Sequence, residues 1–91
     1  MKKQKNERSP EEIEAARIFG RSLRRLREDR QLDAKDLAGA VLIHVDTLYK
    51  YERGEREPTI LKILQLAQVL GVTLERLLTG EQKRPVLRVM R

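Results

Sequence analysis

Residues 32–54 read LDAKDLAGAVLIHVDTLYKYERG, and two short helices joined by a tight connection account for the whole stretch. Asp33 stands at an N-cap position, and Leu37, Ala38 and Val41 then recur on one side of a helix over about Ala34–Val41. Leu42, Ile43 and His44 lead into a second helix over about Val45–Arg53, and Gly54 follows as a natural left-handed residue after its end. Along that second helix, Leu48 and Tyr51 share an inward face. Val45, Asp46, Tyr49 and Lys50 fall on the other by helical spacing.

Upstream, Ser9, Pro10 and Glu12 form a Ser-x-x-Glu capping box with proline at the first helical position. Ile13, Ala16, Phe19, Leu23 and Leu26 then follow at three- and four-residue steps, which predicts a long helix to about Arg30. Its opposite side carries Arg17, Arg21, Arg24 and Arg25. Downstream, residues 55–58 form a polar loop that Pro58 keeps from continuing the helix. Thr59 caps a fourth helix with Ile60, Ile63, Leu64, Ala67 and Leu70 on its apolar face, stopped at Gly71. Thr73 caps a short fifth helix bearing Leu74, Leu77 and Leu78, closed by Gly80. No segment of residues 9–80 alternates with period two, so the fold class is all-α with five helices. The expected organisation is a flexible basic arm over 1–8, one domain over 9–80, and a tail over 81–91. In that tail Val86, Leu87, Arg88, Val89 and Met90 are either a short strand pairing with a second subunit or disordered.

Composition narrows the function. With 91 residues the chain has room for one small domain, and an aromatic content of 3% makes the core aliphatic. The absence of cysteine excludes disulfides, a thiolate zinc site and a cysteine nucleophile, and one histidine leaves little for any metal site. No apolar run approaches the roughly 20 residues that span a bilayer, and the basic N-terminus lacks the apolar stretch of a secretory signal. The expected location is therefore the cytoplasm. The net charge is +6, but its placement is uneven. Basic residues outnumber acidic ones ten to six in residues 1–30 and four to one in 81–91, whereas residues 31–80 hold six against seven. A polyanionic partner fits the total, and the middle of the chain adds nothing to it.

Asp36-Leu37-Ala38, then Tyr51-Glu52-Arg53-Gly54 with Pro58, then Leu70-Gly71-Val72 before the fifth helix, together resemble the Cro/CI repressor (XRE) family over residues 19–80. The resemblance implies a five-helix, lambda-repressor-like DNA-binding domain. It would be a sequence-specific transcriptional regulator, a repressor, acting in a prokaryotic or phage setting at the nucleoid. It would bind a two-fold operator in double-stranded DNA as a homodimer, with the helix at about 45–53 in the major groove. Base reading would fall to Val45, Asp46, Tyr49 and Lys50: lysine to guanine acceptors, the carboxylate to the cytosine amino group, valine to a thymine methyl. Val45 as a core contact and Asp46 as a solvated carboxylate are the structural alternatives. Phosphate contacts would come from Ala34 and Lys35 through backbone amides, and from His44, Thr47, Arg53 and Arg56. Lys2, Lys3, Lys5 and Arg8 would add unspecific attraction. Arg27 and Glu52 match a partly buried ion pair that fixes the angle of the recognition helix.

Three positions depart from the family pattern. Leu42 stands where the turn normally has glycine, which argues for a longer or differently shaped turn. Ala34 replaces a phosphate-touching glutamine, and His44 replaces the usual Ser or Thr cap. The rival function is a protein-interaction module, such as an adaptor or antitoxin, which the near-neutral middle and the apolar tail favour. An enzyme has no support: no glycine-rich phosphate loop, metal-ligand cluster or nucleophile–base pair is legible, and no cofactor is implied.

Overall fold

The computed structural model describes residues 8–81. Five helices follow in the order α1 (Pro10–Asp29), α2 (Ala34–Ala40), α3 (Val45–Glu52), α4 (Ile60–Leu70) and α5 (Leu74–Thr79), with no strand among the described residues. The expected arm and tail, apart from Arg8 and Glu81, lie outside the described residues. Three helices end one residue earlier than the apolar pattern suggests, α1 among them with Arg30 as its C-cap. Val41 and Arg53 are C-caps, because the pattern marks which residues face inward and not where the backbone bonds stop.

The caps explain most of the starts. At α1 the Ser9 side chain accepts from the Glu12 amide at 3.1 Å, and the Glu12 carboxylate accepts from the Ser9 amide at 2.9 Å. Thr59 and Thr73 cap α4 and α5 in the same way, accepting from Lys62 and Arg76 amides. Asp33 occupies the N-cap of α2 without making a side-chain cap bond, so its expected role is not realised.

α1 is the spine. It packs on α3 along one side and on α5 along another; α2 packs on α3 and α4, and α4 on α5. Leu23, Leu37, Leu48, Leu66, Leu70 and Leu77 are fully buried between them, with Phe19 and Tyr51 as the aromatic contributions. Ile13, expected inside, is about a third exposed because α1 outruns the helices it covers at that end. Ser22 is the buried polar side chain of α1, and its hydroxyl donates to the Arg76 carbonyl at 3.1 Å. Gly20 marks the closest approach of α1 to α3: a Cβ there would fall 2.5 Å from the carbonyl oxygens of both Tyr51 and Glu52. The two backbones touch only because that position has no side chain.

The α2–α3 connection overturns the expectation of a reshaped turn. Leu42 itself takes φ 58 and leaves its side chain 87% exposed. A non-glycine residue in that region costs about 1–2 kcal/mol, and here no packing offsets it. The turn is held from both sides. The Leu42 and Ile43 amides donate to the Gly39 and Ala38 carbonyls, and the Lys62 ammonium reaches across from α4 to the Val41 carbonyl at 2.7 Å.

No helix among the described residues is long and apolar enough to cross a membrane.

Candidate nucleic-acid interface

α3 begins on a histidine cap. His44 Nδ1 accepts from the Asp46 amide at 3.1 Å, which places the ring proton of the neutral form on Nε2, the nitrogen left free for an outside acceptor. The Asp46 carboxylate lies 3.7 Å from the same Nδ1, and both side chains are more than two-thirds exposed. His44 thus does the work of the serine or threonine it replaces.

From that cap the helix divides cleanly. Leu48 and Tyr51 are buried against α1, whereas Asp46, Tyr49, Lys50 and the capping Arg53 lie exposed. Val45 and Thr47 are half-buried on the flanks, and Val45 packs against the core, so its side chain is shared between interior and surface. At α2, the Ala34 side chain is buried, which leaves only its backbone amide for an outside partner, while Lys35 is exposed.

The angle of α3 is fixed by two contacts with α1. One is the Gly20 approach. The other is a fork: Arg27 Nε and Nη2 donate to the two Glu52 oxygens at 2.7 and 3.3 Å, and Nη1 donates to the Leu32 carbonyl at 3.0 Å. The carboxylate is almost completely buried, its side chain 4% exposed against 13% for Arg27. The bond to Glu52 raises the Arg27 pKa above its ordinary value, outweighing the desolvation that opposes it.

Beyond α3, Gly54 at φ 75 swings the chain into the loop to α4. Here Arg53, expected to meet phosphate, already has a partner. Arg53 Nε and Nη2 donate to the two Glu55 oxygens at 2.9 and 3.0 Å. That pair raises the Arg53 pKa and holds the Glu55 carboxyl below its ordinary range, through the shared hydrogen bonds first. Arg8 Nη1 donates to Glu57 at 3.1 Å and Nη2 to the Gly54 carbonyl at 3.2 Å, which ties the start of the domain to this loop. Lys50 and Arg56 are exposed and make no ion pair among the described residues. Over the exposed surface of α3 and its loop, Lys50, Arg53, Arg56 and the incoming Arg8 face Asp46, Glu55 and Glu57, four basic charges against three acidic. The surface expected to attract DNA is therefore close to neutral, although the whole chain carries +6.

A family profile described as helix-turn-helix matches residues 23–77, more than half of the chain and all of the α2–α3 unit. The chain belongs to the Cro/CI-type (XRE) helix-turn-helix family. Among its relatives, the HTH-type transcriptional regulator DdrOP3 of Deinococcus deserti is 43% identical over 58 residues. That match covers 64% of this chain and 45% of DdrOP3, so the chain spans under half of that regulator's length. Solved structures of the same fold include the restriction-modification controller protein C.AhdI of Aeromonas hydrophila. It is 31% identical with a TM-score of 0.65, over 68% of this chain and 94% of that one. The clp gene regulator ClgR of Corynebacterium glutamicum is 25% identical with a TM-score of 0.68, over 70% and 68%. The helix-turn-helix here is α2 and α3, and α1 is the element that carries it.

Sequence reasoning missed Gly20, Glu55, Glu57 and Lys62 as determinants of this surface. A glycine inside a helix gives no sign of which backbone it will meet. The two glutamates read as ordinary loop polarity. Nothing in the sequence singled out Lys62.

Proposed function

We propose that the protein is a sequence-specific DNA-binding transcriptional regulator, a repressor, that inserts α3 into the major groove. One observation carries this: α3 is locked to the core through Leu48, Tyr51 and Glu52, yet offers Asp46, Tyr49 and Lys50 outward from a capped, fixed helix. Rigid presentation of polar side chains is what direct readout requires. Lys50 donates to guanine acceptors, Asp46 accepts from a cytosine amino group, and Val45 meets a thymine methyl at the edge of the helix. His44 Nε2, Thr47, Arg53, Arg56, Lys35 and the Ala34 amide are placed in this reading on flanking phosphates. The names of DdrOP3 and ClgR, both regulators, support the same function.

A homodimer completes the reading. Two copies with recognition helices about 34 Å apart would address successive turns on one side of the duplex. Leu74 and Leu78 of α5, each more than a third exposed beside the buried Leu77, are the docking residues proposed for the second copy. The chemistry is binding alone. No group of three or more His, Asp or Glu side chains that could hold a metal exists among the described residues.

The charge balance of the α3 surface favours a second reading, a protein-interaction module of adaptor or antitoxin type. Selection from a randomised duplex pool decides between them, followed by titration of the winners at about 50 and 200 mM salt. The DNA reading expects a palindromic consensus bound far above random duplex, with Lys50→Ala relaxing one position in each half-site. Weak binding, equal for all sequences and lost at the higher salt, overturns it and moves the search to a protein partner.

A further inference from the structure

We propose that Glu55 and Glu57 are built-in counter-charges that restrain the phosphate attraction of the recognition surface, with Glu55 holding Arg53 in reserve. The inference rests on the DNA-binding reading above and says how strongly that same surface pulls on the backbone of any duplex.

The geometry is specific. The loop that follows α3 has only five residues from Gly54 to Pro58, and both of its acidic side chains are engaged with arginines. Glu55 takes two of the three nitrogens of Arg53 in a fork, the arrangement a phosphate would otherwise occupy. Glu57 takes Arg8, whose second nitrogen is spent on the Gly54 carbonyl. The Arg53–Glu55 pair is not needed to hold the fold. Arg53 and Glu55 are both more than half exposed, two residues apart on the surface, unlike the buried Arg27–Glu52 fork. An exposed pair exchanges partners readily when a denser anion arrives. Phosphates are the same in every sequence, so a carboxylate that competes for Arg53 lowers attraction to all DNA alike. Base reading by Asp46, Tyr49 and Lys50 is left untouched. The pairs also account for the near-neutral surface on a basic chain: the loop itself cancels the charges nearest the groove.

The test is a double-mutant cycle on the full chain, titrating a short random-sequence duplex between about 50 and 200 mM salt. Each added phosphate contact steepens the log–log salt slope by about 0.9, which is about a 3.5-fold greater loss of affinity across that range. Glu55→Gln is expected to bind random duplex several-fold more tightly at the lower salt, with the slope steeper by about one contact. Arg53→Gln alone leaves Glu55 unpaired and is expected to weaken binding, but by less than it does in the Glu55→Gln background, where it is expected to cancel the gain. Glu57→Gln is expected to repeat the effect through Arg8. A fall in affinity for Glu55→Gln would mean that the carboxylate aims Arg53 at phosphate, and overturns the proposal. So does an Arg53→Gln loss of equal size with and without Glu55. If the unaltered protein binds no duplex with any salt dependence, the DNA-binding reading itself falls, and the counter-charge role falls with it.

Discussion

Gly20 sits directly beneath the carbonyl of Glu52, with no room for even a methyl group between α1 and α3. The atoms in the way are backbone oxygens, which cannot rotate aside as a side chain would. Gly20→Ala gains about 1 kcal/mol of helix propensity, yet overpacking against fixed atoms costs about 1–3 kcal/mol and more when the backbone must move. The overlap should win, and thermal unfolding is expected to show a lower Tm. The same variant should tilt α3 and weaken operator binding beyond what its stability accounts for. A variant as stable as the parent would show that α1 and α3 slide freely on each other.

The Arg27–Glu52 fork predicts an asymmetry between its two members. Removing Arg27 strands a carboxylate whose side chain is only 4% exposed, and the expected loss is about 3–5 kcal/mol. Removing Glu52 leaves an arginine that keeps its bond to the Leu32 carbonyl and has a path to solvent, so the loss should be smaller. Urea unfolding of Arg27→Ala and Glu52→Ala measures both. Equal and negligible losses would show that the pair is no more than a surface contact.

These two contacts also show how far the sequence could be read. The Ser9, Thr59 and Thr73 starts and the Gly71 and Gly80 stops were visible because capping is a local transaction, settled within one turn of helix. Arg27 and Glu52 were found through family likeness, since nothing local joins residues 25 positions apart. Gly20 had neither kind of sign. Its role depends on where α3 arrives, which only the packed molecule decides. Arg53 was legible as a charge at the end of α3, but its capture by Glu55 depends on the loop curling back after Gly54.

Leu42 should be improvable. Its φ of 58 suits glycine, and its side chain is almost wholly in solvent, so Leu42→Gly removes strain without opening a cavity. The gain is expected to be up to about 1 kcal/mol after allowing for the greater freedom of glycine in the unfolded chain. Leu42→Ala keeps the Cβ and should gain nothing. Denaturant midpoints of the two variants provide the comparison, and a destabilised glycine variant would refute the strain.

His44 makes a prediction of its own. As an N-cap that accepts from the Asp46 amide, it should contribute about 1 kcal/mol to α3. His44→Ala is expected to lose that amount, and His44→Ser, which restores a capping oxygen, to keep it. Equal unfolding free energies for the alanine and serine variants would remove the cap from the account.

The bond from the Ser22 hydroxyl to the Arg76 carbonyl joins positions 54 residues apart, and beside it α5 delivers the fully buried Leu77 to the core. α1 is therefore made before the other four helices and completed last. Until α5 emerges, the nascent chain has α1, the recognition unit and α4 but an open core between them. Contacts that span most of a chain also form slowly, because a long loop must close before they reward it. A regulator built this way becomes competent only once α5 has been synthesised. Protease cleavage between α4 and α5 would switch it off by opening the core, with the exposed residues of α3 left intact.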